Sequence, residues 1–136
     1  MRVLIVDDEP FIIWLKLQLE QNGIETVWAR GFDEAAKIIL NDEFDAAIVD
    51  IRMVGAPESA RPEDDAKVRG LELYDRILAR QWARRDNVIL YSVYSEHEFE
   101  ETAAKVGFDT QQVVFFSKRN PGSSLVSYIH ELLQTG

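Results

Sequence analysis

The sequence predicts an α/β fold: an open three-layer sandwich in which five parallel strands alternate with five helices, a (βα)5 order. Three observations predict it. Four short apolar runs, Val3 to Val6, Ala46 to Val49, Val88 to Tyr91 and Val113 to Phe116, are continuous rather than alternating, as in strands buried on both faces. Helical segments separate the runs, and such alternation favours a parallel sheet covered by helices. The polar residues that leave four of the strands, Asp7-Asp8, Asp50, Ser92 and Lys118, would then meet at one edge of the sheet.

The elements follow in order. Strand one, Val3 to Val6, runs into Asp7-Asp8, and Pro10 suits the first turn of a helix reaching Gln21, with Gly23 as a left-handed stop. Glu25 to Trp28 is a weaker strand, rich in Thr26, Val27 and Trp28, which the spacing requires. A helix over Phe32 to Asn41 leads to the strand Ala46 to Val49 and Asp50. Val54 to Arg69, with Gly55, Pro57, Pro62 and the acidic Glu63-Asp64-Asp65, reads as a long polar loop. Helices over Leu71 to Trp82, Glu96 to Val106 and Gly122 to Gln134 complete the pattern, with Gly107 stopping one and Pro121 opening another.

With 136 residues, 46% of them hydrophobic, the chain suits one domain with a real core and is too short for two. Acidic side chains outnumber basic ones 24 to 15, for a net charge of −9 and a pI of about 4.7. Most of the surface would repel a phosphate backbone, so direct nucleic-acid binding is not expected. The absence of cysteine excludes disulfides, thiolate zinc sites and cysteine nucleophiles, and His97 and His130 form no metal motif. The apolar run at the start is too short for a signal peptide or membrane span, so a cytoplasmic protein is expected.

Three carboxylates at one sheet edge repel one another, and a hard divalent cation, Mg2+ above all, would relieve this. Lys118 offers a cation and Ser92 a hydroxyl to phosphoryl oxygens, and Asp50, alone at the end of the middle strand, is the best candidate nucleophile toward phosphorus. Each residue also has an ordinary reading. Asp7 and Asp8 serve equally well as caps for the helix that follows, Asp50 as a turn residue, Ser92 as a loop hydroxyl and Lys118 as a solvated cation. Their joint placement at the strand ends favours chemistry.

Val3-Leu4-Ile5-Val6-Asp7-Asp8-Glu9-Pro10, Ala47-Ile48-Val49-Asp50-Ile51-Arg52-Met53, Gly70-Leu71-Glu72-Leu73, Val88-Ile89-Leu90-Tyr91-Ser92 and Phe115-Phe116-Ser117-Lys118 together resemble the receiver domain of bacterial two-component response regulators. The likeness spans essentially the whole chain and implies a flavodoxin-like fold and a stand-alone receiver, because no residues remain for an output domain. It further implies that Asp50 accepts a phosphoryl group from a phosphohistidine on a sensor histidine kinase or histidine phosphotransfer protein. Asp8, Asp50 and the Arg52 backbone carbonyl would bind Mg2+ directly, with Asp7 acting through water. Ser92 and Lys118 would engage the phosphoryl oxygens, and Phe115 would be the aromatic switch that turns inward as the Ser92 hydroxyl moves. Arg52 and Tyr94 fall where the family tunes the approach of water, and both being large implies slow self-dephosphorylation. The output would be an unknown downstream protein or onward relay of the phosphoryl group, and a homodimer is compatible with either.

The chain departs from the family pattern in four places. Lys118 is followed by Arg119-Asn120 before Pro121, not directly by proline, and Val93 stands where a small residue usually follows Ser92. The Met-Pro dipeptide is Met53-Val54, and the path from Asp50 to Gly70 is longer than usual by roughly a dozen residues, which makes 54–69 either a gate beside Asp50, a partner contact or an ordinary surface loop. The first helix should turn Phe11, Ile12, Leu15 and Leu19 toward the sheet and leave Ile13, Trp14 and Leu17 as an apolar strip for a partner helix, unless neighbouring helices cover it. Two rivals stand beside the receiver reading: a pseudo-receiver that binds protein without phosphorylation, and a small Mg2+-dependent phosphatase, which would lack a cap domain and a general acid.

Overall fold

The computed structural model describes residues 1–52 and 69–135. Among the described residues, strands and helices alternate as the sequence predicts, with one added 3₁₀ turn: β1 (Arg2–Val6), α1 (Ile12–Gln21), β2 (Glu25–Ala29), α2 (Phe32–Asn41), β3 (Ala46–Val49), α3 (Arg69–Leu78), a 3₁₀ turn (Arg85–Asn87), β4 (Val88–Ser92), α4 (Glu96–Val106), β5 (Val114–Ser117) and α5 (Ser123–Thr135). The strands form one parallel sheet in the order β2-β1-β3-β4-β5. The chain therefore runs outward from β1 to β2, returns past β1 to β3 and continues in that direction. This reversal is the topological switch point, and the crevice it opens lies at the carboxyl ends of β1 and β3.

The two faces of the sheet are filled by alternate residues of the same strands, as the period of two requires. Leu4, Val6, Ala47, Val49, Val88 and Leu90 pack beneath α2, α3 and α4 through Phe32, Ile39, Leu73, Ile77 and Phe99. Val3, Ile5, Ala46, Ile48, Ile89 and Tyr91 pack beneath α1 and α5 through Ile12, Leu15, Leu19, Leu125 and Ile129. β3 and β4 are buried throughout, whereas the edge strand β5 is half-buried along Val114, Phe115 and Phe116.

Local signals set most boundaries. Ser95 and Glu98 form a reciprocal capping box at the start of α4, and Gly107 closes that helix at φ 74°. Gly23, at φ 80°, does the same after α1. Three expectations are corrected. Pro10 lies one turn ahead of α1: Ile12, Ile13 and Trp14 donate to the carbonyls of Glu9, Pro10 and Phe11, a tighter turn from which the helix starts. α3, Arg69–Leu78, includes Arg69, where the sequence suggests loop, and ends at Leu78 rather than Trp82, because the last turn opens into the bend preceding the 3₁₀ turn. Phe11 does not face the sheet; it precedes the helical twist and is 45% exposed. The expected loop, apart from Arg69, lies outside the described residues. Among the described residues no helix is long and apolar enough to cross a membrane.

Candidate functional site

The site residues are held by an extension of the sheet. Each continues the ladder one step past its own strand: the Asp7 N–H donates to Ala29 O at 3.0 Å, the Asp50 N–H to Val6 O at 2.9 Å, and the Lys118 N–H to Ser92 O at 2.6 Å. Three chemically active side chains thus leave the sheet with backbones as fixed as those of the strands. The Trp28 indole donates to Asp7 O at 2.8 Å and ties the first of them from the side.

Gly70 closes the site from beneath. Its N–H donates to Ile51 O at 2.9 Å, and a Cβ there would lie 2.0 Å from Asp50 O and 2.5 Å from Ile51 Cα. Only glycine lets the first turn of α3 come this close to the backbone that carries Asp50.

Carboxylate oxygens of Asp7, Asp8 and Asp50 lie within 4.8 Å of one another, with Asp7 and Asp50 buried and Asp8 exposed. The Lys118 ammonium reaches into this cluster, donating to Asp7 Oδ2 at 2.7 Å, Asp50 Oδ2 at 3.3 Å and Glu9 Oε1 at 3.5 Å. Its side chain is only 4% exposed. Asp7 Oδ1 also accepts the Glu9 N–H at 3.0 Å, and Asp50 Oδ1 the Arg52 N–H at 3.3 Å. The ordinary reading of Asp7 as a helix cap fails, because it closes a local turn and α1 has no side-chain cap.

Burial decides the charge state. It pushes the Asp50 carboxyl up to about 7, with the Lys118 charge pulling down and the Asp7 charge adding to the rise. Asp7 is raised as well, by burial against the opposing pull of its Lys118 bond. For Lys118, burial works to lower the ammonium, but the carboxylates of Asp50, Asp7 and Glu9 outweigh it and the result is raised. One buried cation faces four acidic groups, so the cluster has an excess of negative charge and all-oxygen donors. That donor set fits a hard divalent cation.

The other expected residues surround this centre in different ways. Ser92 is fully buried at the end of β4, and its Oγ accepts the Tyr94 N–H at 3.4 Å. Phe115 is half-buried and stacks on Phe99 with ring centroids 4.6 Å apart and planes 2° apart. Arg52 is exposed beside Asp50, and Tyr94 is half-buried against the α2/α3/α4 core. Ile13, Trp14 and Leu17 are exposed at 45%, 40% and 51%, as the strip requires, although the Trp14 ring edge also lies against Gly122 at the start of α5. Sequence reasoning missed Glu9, Gly70 and Trp28 as parts of the site. Glu9 stands in the acidic run and Gly70 follows the predicted loop, but nothing in either signal says what they touch.

The family described as response regulator receiver domain matches residues 3–130, and the chain belongs to it. Solved structures agree in fold. A CheY-like response regulator receiver domain protein from Methanospirillum hungatei is 24% identical, with a TM-score of 0.68 over 99% of this chain and 98% of the other. TrrA from Thermotoga maritima, solved in complex with Mg(2+)-BeF, is 26% identical, with a TM-score of 0.67 over 96% and 97%. The signal receiver domain of a histidine kinase from Syntrophus aciditrophicus is also 26% identical, with a TM-score of 0.69 over 98% and 90%. No curated protein matches the chain.

Proposed function

We propose that this receiver takes a phosphoryl group on Asp50 from a phosphohistidine of a sensor histidine kinase or histidine phosphotransfer protein in a Mg2+-dependent reaction in the cytoplasm. One observation carries the reading: three carboxylates converge within 4.8 Å while a buried lysine reaches the central one. Asp8, Asp50 and the Arg52 carbonyl would hold Mg2+. Asp7, both of whose oxygens already have partners, would act through water. When bound, the ion supplies charge neutralisation for the phosphoryl oxygens and for the ionised form of Asp50.

The protein's own groups do the rest. Asp50 Oδ2 leaves Lys118 to attack phosphorus in line as the P–N bond breaks and the donor's imidazole departs, and the freed ammonium takes up a phosphoryl oxygen, so Lys118 exchanges one anion for another without leaving its burial site. The Ser92 hydroxyl turns from the Tyr94 N–H toward the new charge. Phe115 follows by giving up its stack on Phe99, changing the surface read by a downstream protein or by the next member of a relay. Ile13, Trp14 and Leu17 form the strip against which a helix of the phosphodonor rests. TrrA, with its Mg(2+)-BeF complex, supports this assignment of the acidic edge.

The test is intact-mass measurement after incubation with Mg2+ and acetyl phosphate. A single phosphoryl adduct is expected, absent in Asp50→Asn; an adduct that survives in that variant would place the acceptor elsewhere. Arg52 and Tyr94 shield the adduct from water, so Tyr94→Ala should lose it faster, and an equal or slower loss would remove the shielding role. A second reading, a pseudo-receiver that binds protein without phosphate, draws on the bulk of Val93 after Ser92 and on Arg119-Asn120 after Lys118. Against it, the altered loop does not keep Lys118 from Asp7 and Asp50.

A further inference from the structure

Lys118 poses a solvation problem that its carboxylate partners only half answer. An ammonium at 4% exposure must find replacements for water on every side. Asp7 and Asp50 supply two of them, and Glu9, more exposed and at 3.5 Å, a weaker third. Two aromatic rings stand on the others, with centroids 5.0 Å (Phe11) and 5.6 Å (Tyr91) from Nζ.

The two rings are there for different reasons. Tyr91 is a β4 residue buried in the α1/α5 core, so packing alone accounts for its place. Phe11 belongs to neither buried core cluster, sits in the turn ahead of α1 and is 45% exposed. A phenyl ring left half in water gains little by burial. What it does meet is the Lys118 cation, within the range at which the negative face of a ring attracts an ammonium.

We propose that Phe11 is a positioning residue for Lys118: its ring closes the ammonium off from water and holds Nζ against Asp7 and Asp50. The idea rests on the receiver reading for its catalytic consequence but not for the contact itself. An ammonium covered by a ring can pivot between carboxylate and phosphoryl oxygens without admitting water. An ammonium left open would be solvated and would reach the phosphoryl group less often.

Two measurements on the full chain separate the contact from its consequence. The variants are Phe11→Tyr, which keeps the ring, Phe11→Leu, which keeps bulk without it, and Phe11→Ala. In proton NMR without any phosphodonor, the Lys118 methylene next to Nζ should be restrained and shifted upfield in the native protein and in Phe11→Tyr. It should move toward the free-lysine position in Phe11→Leu and Phe11→Ala. An unshifted, averaged Lys118 signal in the native protein would overturn the proposal whether or not Asp50 is phosphorylated.

With Mg2+ and acetyl phosphate, adduct formation should slow about threefold in Phe11→Leu, slow further in Phe11→Ala and stay at the native rate in Phe11→Tyr. A native rate in Phe11→Leu would show that bulk suffices and would overturn the role of the ring. Absence of any adduct in the native protein would defeat the receiver reading, and the NMR result would then decide the Phe11 contact independently.

Discussion

Asp45 and Asp50 bracket the same strand, and nearly everything about them differs. Asp45 precedes β3 and is exposed. Its N–H donates to Arg2 O at 2.8 Å, its Oδ2 accepts the Arg2 N–H at 2.7 Å, and its carbonyl accepts the Asn87 side-chain amide at 2.7 Å. It is a tie between strands, satisfied by neutral donors in contact with water. Asp50 follows β3, is 3% exposed and faces Lys118 and two further carboxylates, so that burial raises it to about 7. One end of the sheet uses an aspartate to join backbone; the other holds one where its charge is costly. Electrostatic strain in this sheet is gathered at the end where a ligand could relieve it.

Removing the buried cation is the most severe way to break this contrast. Lys118→Ala leaves Asp7 and Asp50 buried without their ammonium and should cost about 3 kcal/mol at pH 8 in EDTA. Thermal unfolding should show the loss shrinking at pH 5, where Asp50 holds its proton, and shrinking again on adding Mg2+ at pH 8. A loss independent of pH and Mg2+ would mean that Lys118 contributes through its stem alone.

Asp50→Asn should act in the opposite direction. The folded value of about 7 lies above the ordinary value of 3.8, so between them the native state binds more protons than the unfolded state. Stability therefore falls as pH rises through this window, and the penalty is complete above about 7. In EDTA the variant should be more stable than the native protein by up to about 4 kcal/mol at pH 8, and the advantage should vanish by pH 4. Ser95→Ala, which removes the Ser95 hydroxyl from the capping box of α4, should cost about 1 kcal/mol at both pH 6 and pH 8.

Much of the fold was legible because it is written locally. The apolar runs of β3 and β4 are continuous because both faces of those strands are covered, and their bounds and burial follow. Ser95 with Glu98, and Gly107 with its left-handed φ, mark both ends of α4. Helix starts that depend on a turn rather than a cap were less legible. Pro10 suits a first helical turn, yet the chain bends tightly before α1 and carries Phe11 off the core face. α3 ends earlier than its apolar spacing suggests because Trp82 packs against the core from outside the helix, next to Phe44.

In the site, the strand-end residues Asp7, Asp50, Ser92 and Lys118 could be named from the sequence, because a parallel sheet delivers the ends of all its strands to one edge. What surrounds them could not. The sequence by itself determined the order of elements, the acidic edge and the family resemblance, since each is carried by residue type and spacing along the chain. Only the tertiary structure decided that Lys118 reaches Asp7 and Asp50, that Gly70 presses against the Asp50 carbonyl and that the Phe11 ring stands 5.0 Å from the ammonium. These are contacts across the switch point between segments far apart in the chain. Their distances depend on how helices pack against the sheet, which no local pattern encodes.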